Sequence, residues 1–553
     1  MTSFSVGQSL GLVLGTWVLW KIFNIAFPKD PFSNIAGPPS DSLLTGNIEK
    51  LMNKDGWENH QGFAKKYGRV FSFTTFLGRR SLYLYDPKAM HHIVVKDQYV
   101  YEEASDFILT NLRTFGPGLL STLGNHHKKQ RKMLNPVFST AHMRDMTPTF
   151  YGVAHKLVKG MGQQVSAGQE IIDVLEWMTR TALELIGQSG FGYSFDDLEP
   201  DGEQHLFAQS LKNLFRAYNT GGIAFFRFTI HKYVFNWGGP RFQRWLVDAL
   251  PWPALHELRD MVDVMDNTSK EILGATKRAL AEGKDMSSRI GGGKDIMSIL
   301  VKANMAASEE DKMPEHELLA QISTLTFAGM DTTSNALARI LDILSKKPDI
   351  QEKIRQEITQ AYEDNGGDLD FDTLMNLPYL DAVCRETLRL YSPVPFLARE
   401  ANEDMILPLS KPIVGKDGRE ISEIFIPNGT RILLSLIHSN IDPNVWGPDS
   451  EEWKPERWLT PLPDSVIEAK IPGVYSHLMT FIGGNRACIG FKFSQLEMKV
   501  VLSLLLQTFK FDATGQKVMW QMNGITQPTT EDAELSAIGE RKLQLPLKVS
   551  LLK

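Results

Sequence analysis

Cysteine is nearly absent from this chain: two in 553 residues, Cys384 and Cys488. That excludes a disulfide framework, a Cys-x-x-Cys redox pair and a cysteine-rich zinc site, and it places the body in a reducing compartment. A basic excess is also missing. The formal net charge is -6, which argues against a nucleic-acid partner. The body has no Pro/Ser-rich linker, internal repeat or low-complexity tract. A chain of this length could hold roughly three or four domains, but with nothing to divide it, it reads as one large globular unit. A phosphate loop is absent as well. "GGGKDI" (Gly291 to Ile296) follows its lysine with Asp295, not Ser or Thr.

Charge is scarce in one stretch above all. Phe4 to Phe27 carries a single charged residue, Lys21, close to its end. About 20 apolar residues suffice to cross a bilayer, and a lysine near an end can snorkel to the interface. A cleavable signal would carry its positive charge ahead of the apolar run. Here Lys21 and Lys29 come late, so residues 4–27 are expected to be an uncleaved, single-pass transmembrane anchor with the body in the cytosol. "AGPPSD" (Ala36 to Asp41) marks a proline-containing hinge at 28–50, and 51–553 is the globular body.

Within that body, Gly68 to Pro87 alternates apolar and polar residues around Gly-Arg-Arg, which predicts a hairpin. A helix is expected from Pro87. From about 140 to 390, apolar residues recur at helical spacing. Short strands return at 400–435, a last helix runs from about 489 to 508, and strand-like segments finish the chain. The fold class is mainly α with small β-sheets. Cys384 lies on an apolar-periodic helix and reads as a packing residue.

Cys488 stands apart. It sits in "FIGGNRACIG" among glycines, just ahead of the last helix. Free N–H groups and the helix dipole at that position favour an anion and lower a thiol pKa. Such a thiolate can serve as nucleophile, redox thiol or metal ligand. A nucleophile wants a histidine base, and this motif has none. A single thiolate is enough for the axial ligation of a haem iron. Spacing alone leaves these options open.

Phe481, Gly484, Arg486, Cys488 and Gly490 fit Phe-x-x-Gly-x-Arg-x-Cys-x-Gly. On this motif the chain resembles the cytochrome P450 family of haem-thiolate monooxygenases. The resemblance implies haem b (iron protoporphyrin IX) with Cys488 as axial thiolate and metal ligand, and Phe481 shielding the sulfur. It implies Arg486 at a propionate, and Gly484 and Gly490 letting the backbone approach thiolate and porphyrin.

Three further stretches resemble the family in its order. "FAGMDTTSNA" (Phe327 to Ala336) is similar to the oxygen-activating helix: Ala328 and Gly329 would leave space over the haem, while Asp331 and Thr332 would deliver protons. Glu386 and Arg389 in "ETLR", with Arg457 in "KPERW", resemble the Glu–Arg–Arg structural triad. A second Glu-x-x-Arg, Glu352 and Arg355, lies in a charged helix and reads as a solvated surface pair. In "NHHKKQRKMLNPVFS", His127 and Arg131 are four residues apart, at a place where the family often has Trp-x-x-x-Arg contacting a propionate. Arg399 resembles another propionate-binding position.

The resemblance implies a membrane-bound monooxygenase that inserts one atom of O2 into a lipophilic small molecule. No flavin or nicotinamide domain is visible, so NADPH would supply electrons through a separate cytochrome P450 reductase at the endoplasmic reticulum. Phrases such as "RKMLNPVFSTAHMRDM" are similar to fungal members, particularly those of mushrooms, which points to terpenoid tailoring. The alternatives are an isomerase or dehydratase on the same fold and a non-catalytic haem-binding protein. Members of the first kind typically lack the acid–threonine pair.

Overall fold

The structure, a computed structural model, describes residues 16–17, 30–281, 293–535 and 540–552. The expected anchor at 4–27 therefore lies outside the described residues apart from Thr16 and Trp17. Among the described residues no helix is long and apolar enough to cross a membrane.

The alternation at 68–87 becomes a hairpin, Val70–Thr74 against Arg80–Leu84, antiparallel. Arg80–Leu84 runs parallel to Arg431–Ser435. That strand pairs with Phe396–Ala401 and this in turn with Tyr101–Glu103, completing a five-stranded sheet. Phe71, Leu82, Ile432 and Leu434 fill its core. The stretch expected as a hinge is packed rather than free. Phe32 and Ile35 are buried, the Ser72 N–H donates to the Ala36 carbonyl at 2.9 Å, and a Cβ at Gly37 would sit 1.8 Å from the Ser72 carbonyl oxygen.

The larger core is helical. At its centre lies Glu315–Ser345, 31 residues bounded by Pro314 and Pro348. It packs on Val174–Leu185, Pro253–Ala281 and Phe491–Thr508, and Ile322, Leu337, Ile340 and Leu341 are fully buried. A helix apolar on most sides belongs inside a large domain. The last helix begins at Phe491, two residues later than 489. The Cys488 N–H is drawn back to the Phe481 carbonyl at 2.9 Å, so the chain there makes a loop, not a helical turn. Cys384 is fully buried, and burial pushes its thiol up to about 12.

The two Glu-x-x-Arg pairs differ from each other, though not quite as expected. Glu352 is exposed, but Arg355 is largely buried and donates to the carbonyls of Leu506 at 2.9 Å and Phe509 at 3.2 Å. The carbonyls at the end of Phe491–Thr508 lack helical partners, and this arginine supplies them. The surface-pair reading thus holds for the glutamate alone. Glu386 and Arg389 are both wholly buried. All five guanidinium hydrogens of Arg389 find acceptors: Glu386 Oε2 and Oε1, and the carbonyls of Asn440, Ser450 and Glu452. Glu386 also accepts from the Lys454 N–H and Trp458 Nε1, and Arg457 approaches it at 3.5 Å.

A second buried network joins sheet to helices. Tyr83 Oη lies 3.2 Å from His60 Nδ1 and 3.0 Å from His438 Nδ1. Burial lowers His60 to about 4 and His438 to about 3, so both are neutral in the folded protein. Below about pH 6.5 the unfolded chain takes up protons that these folded imidazoles refuse, so stability falls as pH drops toward 4. Each such proton contributes a slope of about 1.4 kcal/mol per pH unit. Urea unfolding between pH 7.5 and 5 should show this loss. The pH dependence should be shallower, by about one proton, in His438→Gln; an unchanged slope would mean that His438 is not held neutral.

Candidate active site

A cavity of about 300 Å³ lies between the 315–345 helix and the loop that carries Cys488. The loop is tightly tied. The Met479 N–H donates to Asn440 Oδ1 at 2.7 Å, Asn440 Nδ2 to Thr480 Oγ1 at 2.9 Å, and Thr480 Oγ1 to the Leu388 carbonyl at 2.8 Å. Phe481 follows, and its carbonyl receives the Cys488 N–H. Phe481, Arg486, Cys488 and Gly490 all line the cavity. Gly484 does not; it has φ +70°, and its Cβ would lie 1.7 Å from the Val94 carbonyl oxygen. What demands glycine there is a backbone crossing with the 92–96 turn, not the approach to thiolate and porphyrin expected from sequence. Gly490 has no protein atom within 4 Å of a Cβ position, so protein packing places no demand on it.

The accessible surface of Cys488 belongs to the cavity wall, and the surrounding protein desolvates its sulfur. Burial raises the thiol pKa, opposed by the Gly490 N–H and by Arg131. The net direction is upward, contrary to the lowered value expected from the helix N-terminus, because desolvation outweighs the nearby donors. A reactive free thiolate is therefore not what this loop provides. A bound metal cation would reverse the balance, since a coordinating thiol is deprotonated outright.

Arg131, Arg399, Arg486 and His127 also line the cavity. Arg131 Nη1 donates to the Ala487 carbonyl at 2.6 Å, and Arg486 Nη2 to the Thr122 carbonyl at 2.6 Å. Arg399 is paired with Glu103 at 2.7 Å. Burial first, then the charges of Arg486 and Arg131, lowers His127 to about 3, so it stands as a neutral imidazole. The donor set fits haem: Cys488 would offer its sulfur to the iron, the guanidinium groups and the imidazole would meet the propionates, and apolar walls such as Phe138, Ile186, Val394 and Phe493 would face the ring. Among the described residues no cluster of three metal-ligating side chains competes for a metal ion.

The opposite wall is the helix face bearing Ala328, Gly329, Thr332 and Thr333. A Cβ at Gly329 would only touch Ile186, at 3.4 Å. The Thr332 hydroxyl donates to the Ala328 carbonyl at 2.8 Å. Asp331 lies behind this wall. Its carboxylate accepts from Gln527 Nε2 at 3.2 and 3.1 Å and from Asn335 Nδ2 at 3.1 Å. Burial raises its pKa, with Lys212, Gln527 and Asn335 opposing. The structure therefore brings Thr332 to Cys488's cavity and turns the Asp331 carboxyl toward the 518–530 hairpin. Gln527 was not singled out in the sequence: a glutamine in a strand carries no local signal. Nor was Glu497, fully buried beside Thr333, although a glutamate in so apolar a helix is a visible oddity.

Comparison with known proteins agrees with this geometry. The family model described as Cytochrome P450 matches residues 36–532. Cytochrome P450 monooxygenase 91 of Postia placenta is 47% identical over 538 residues, covering 97% of each chain. A protein named ganoderic acid synthetase, from Ganoderma lucidum, is 44% identical over 526 residues, 93% of this chain and 94% of its own. The eriI cytochrome P450 of Hericium erinaceus is 37% identical over 546 residues, 98% of this chain and 96% of its own.

In the reduced protein, carbon monoxide should give the red-shifted Soret band of thiolate ligation. Cys488→Ser should abolish that shift, and a retained shift would assign the sulfur elsewhere. Arg131→Leu removes the cation that opposes burial of the thiolate, and should lower the thiolate-type fraction severalfold at equal protein concentration.

Proposed function

The chain belongs to the cytochrome P450 family of haem-thiolate monooxygenases, and from that premise we propose that it hydroxylates a lipophilic small molecule with electrons from a separate NADPH-dependent reductase at the endoplasmic-reticulum membrane. What carries the reading is one apolar cavity with Cys488 on one side and Thr332 facing it from the other. Haem bound there supplies activation of dioxygen and cleavage of its O–O bond. The protein's part is to bind the substrate, exclude water and manage protons.

Apolar walls draw a lipophilic substrate out of water at about 25 cal/mol per Å². Thr332 supplies a hydroxyl to the cavity and, in the resting geometry, parks its proton on the Ala328 carbonyl. Asp331 would serve as a proton reservoir one residue away, its carboxylate kept by Gln527 and Asn335 from facing the substrate. A fungal terpenoid-tailoring role fits this cavity and the relative named ganoderic acid synthetase.

Two surfaces support the partners. Lys128 and Lys132 are exposed on the helix whose Arg131 touches the Cys488 loop. In a chain of net charge -6, they offer an acidic reductase a basic footing close to the thiolate. Between 221 and 252, large apolar side chains face outward: Trp237 is 70% and Trp245 61% exposed, with Phe225, Ile230 and Phe242 nearby in sequence. Such a patch suits a membrane. Phe76 meets Phe225 and Phe228, and the Leu77 N–H bonds Leu44. The patch is thus continuous with the segment following the N-terminal apolar run.

The test is incubation with a reductase, NADPH and a panel of terpenes, sterols and fatty acids, read by mass spectrometry. Product formation without NADPH would favour isomerase or dehydratase chemistry instead. With a substrate in hand, Thr332→Ala should keep consuming NADPH but release hydrogen peroxide. Product per NADPH should fall about tenfold or more, since positioned acid–base groups are worth about 100-fold or greater. Thr333→Ala should do much less. Wild-type coupling in Thr332→Ala would reject the role, and a loss confined to Thr333→Ala would move it to the hydroxyl beside Glu497.

A further inference from the structure

The cavity wall that gathers cations also holds an acid. Arg131, Arg399, Arg486 and Glu103 all line it. A carboxylate is unexpected there, because the group this wall fits, haem, brings two carboxylates of its own. Three guanidinium charges would meet two propionates with one positive charge left over. Glu103 makes the count even.

The fold holds this acid in place. Tyr101–Glu103 is the edge strand of its sheet, and its register sets Glu103 directly across from Arg399. Just beyond the strand, the Ser105 N–H and hydroxyl both donate to Glu400 Oε2, at 3.0 and 2.8 Å, and Arg431 pairs with Asp106. Glu103 Oε2 accepts from Arg399 Nη1 at 2.7 Å, the two side chains being 13% and 2% exposed. The other hydrogen of Nη1 goes to the Ala398 carbonyl at 2.9 Å. A guanidinium has five N–H donors, and those on Nε and Nη2 make no hydrogen bond among the described residues. Arg399 is therefore divided: one arm is committed within the protein, and the rest of the fork is left for a propionate. The acid's influence reaches further along the wall. Burial lowers the pKa of Arg486, and the charge that opposes this most is Glu103, ahead of Glu102.

Charges this little exposed are weakly screened by water and salt. One-electron reduction adds a negative charge to a bound haem, so a fixed carboxylate at its edge disfavours that step. The same carboxylate competes with a propionate for Arg399.

Resting on the monooxygenase reading, we propose that Glu103 tunes the bound haem: by sharing Arg399 with a propionate it makes haem harder to reduce, and less tightly held, than the three guanidinium groups alone would make it. Glu103 is a positioning residue in this role. It acts through Arg399 and restrains the first electron transfer from the reductase.

The test is a redox titration of the haem-loaded full chain, with dithionite and mediator dyes, read in the Soret band without reductase or substrate. Glu103→Gln should move the equilibrium toward the reduced form about threefold to tenfold, a rise of about 30 to 60 mV for one electron. Transfer of haem to excess apomyoglobin should slow by a similar factor. Glu103→Asp keeps the charge and should stay near the wild type in both measurements. Glu102→Gln removes the neighbouring acid, which accepts the Gly124 N–H, and should shift the equilibrium less than twofold. A pair that only braces the edge strand predicts the opposite sign, with haem lost faster from Glu103→Gln. Faster loss, an unmoved or lowered potential, or an equal shift in Glu102→Gln would overturn the proposal. So would failure of Glu103→Gln to hold haem at all. The carbon-monoxide band of the wild-type chain reports separately on thiolate ligation, and the NADPH assay on turnover, so a failure of the monooxygenase reading is distinct from a failure of this one.

Discussion

The structure depends on keeping one ion pair out of water without leaving any of its hydrogen bonds unmade. Glu386 and Arg389 are both 0% exposed. Desolvating two charges costs several kcal/mol per ion, which their attraction repays only with full hydrogen bonding. Here the bonding is full, and it comes from four places in sequence: the 378–390 helix itself, Asn440, the 450–454 turn and Trp458. Asn440 passes the constraint on, because its side chain holds the Met479 N–H and Thr480. Two residues later begins the loop whose cysteine faces the cavity. The pair's net contribution to stability is modest in principle; its effect is geometric, since it sets the path of the chain leading to Cys488.

That placement explains why the loop looks like an anion site and yet holds a thiol of raised pKa. The Gly490 N–H and Arg131 do stabilise a negative sulfur, but burial costs more. A cysteine protease or redox enzyme needs the opposite balance, with the thiolate favoured by the protein alone. A haem protein does not, because the metal supplies the missing charge. The wall cations share this logic. Arg131 spends one arm on the Ala487 carbonyl, and Arg486 spends both Nη1 and Nη2 on the carbonyls of Leu119 and Thr122, which fixes the direction of each guanidinium.

These elements were unequally legible in the sequence. The 68–87 hairpin was readable because strict alternation needs only neighbours in sequence. The Cys488 motif was readable because glycine and arginine spacing is local. The buried Glu386–Arg389 pair could be told from Glu352 and Arg355 by its apolar surroundings, but the burial of Arg355 could not. It answers carbonyls at 506 and 509, about 150 residues away, that only the fold brings near. Motif spacing points Gly484 toward the cofactor, while its close neighbour in the fold is the Val94 carbonyl, for the same reason. The direction of Asp331 was the least legible. Its helix and its neighbours predict a residue next to Thr332, and only the distant hairpin carrying Gln527 decides which way the carboxyl points.

This last feature bears on how protons reach the cavity. The 315–345 helix turns Asp331 away from the cavity, against Gln527 and Asn335, and presents the Thr332 hydroxyl toward it. In the proposed relay a proton leaving Asp331 would pass around the helix, and Thr332 would turn its hydroxyl off the Ala328 carbonyl to receive or give it. Releasing that bond costs about 1 kcal/mol net, small beside a chemical barrier. The arrangement would therefore hold the proposed relay open at rest at little energetic cost. An acid facing an apolar cavity permanently would add a desolvation penalty and draw water to a site that must stay dry. Keeping Asp331 on amide donors, with a threonine able to swing between backbone and cavity, would in the proposed reaction separate proton supply from substrate binding within a single turn of one helix.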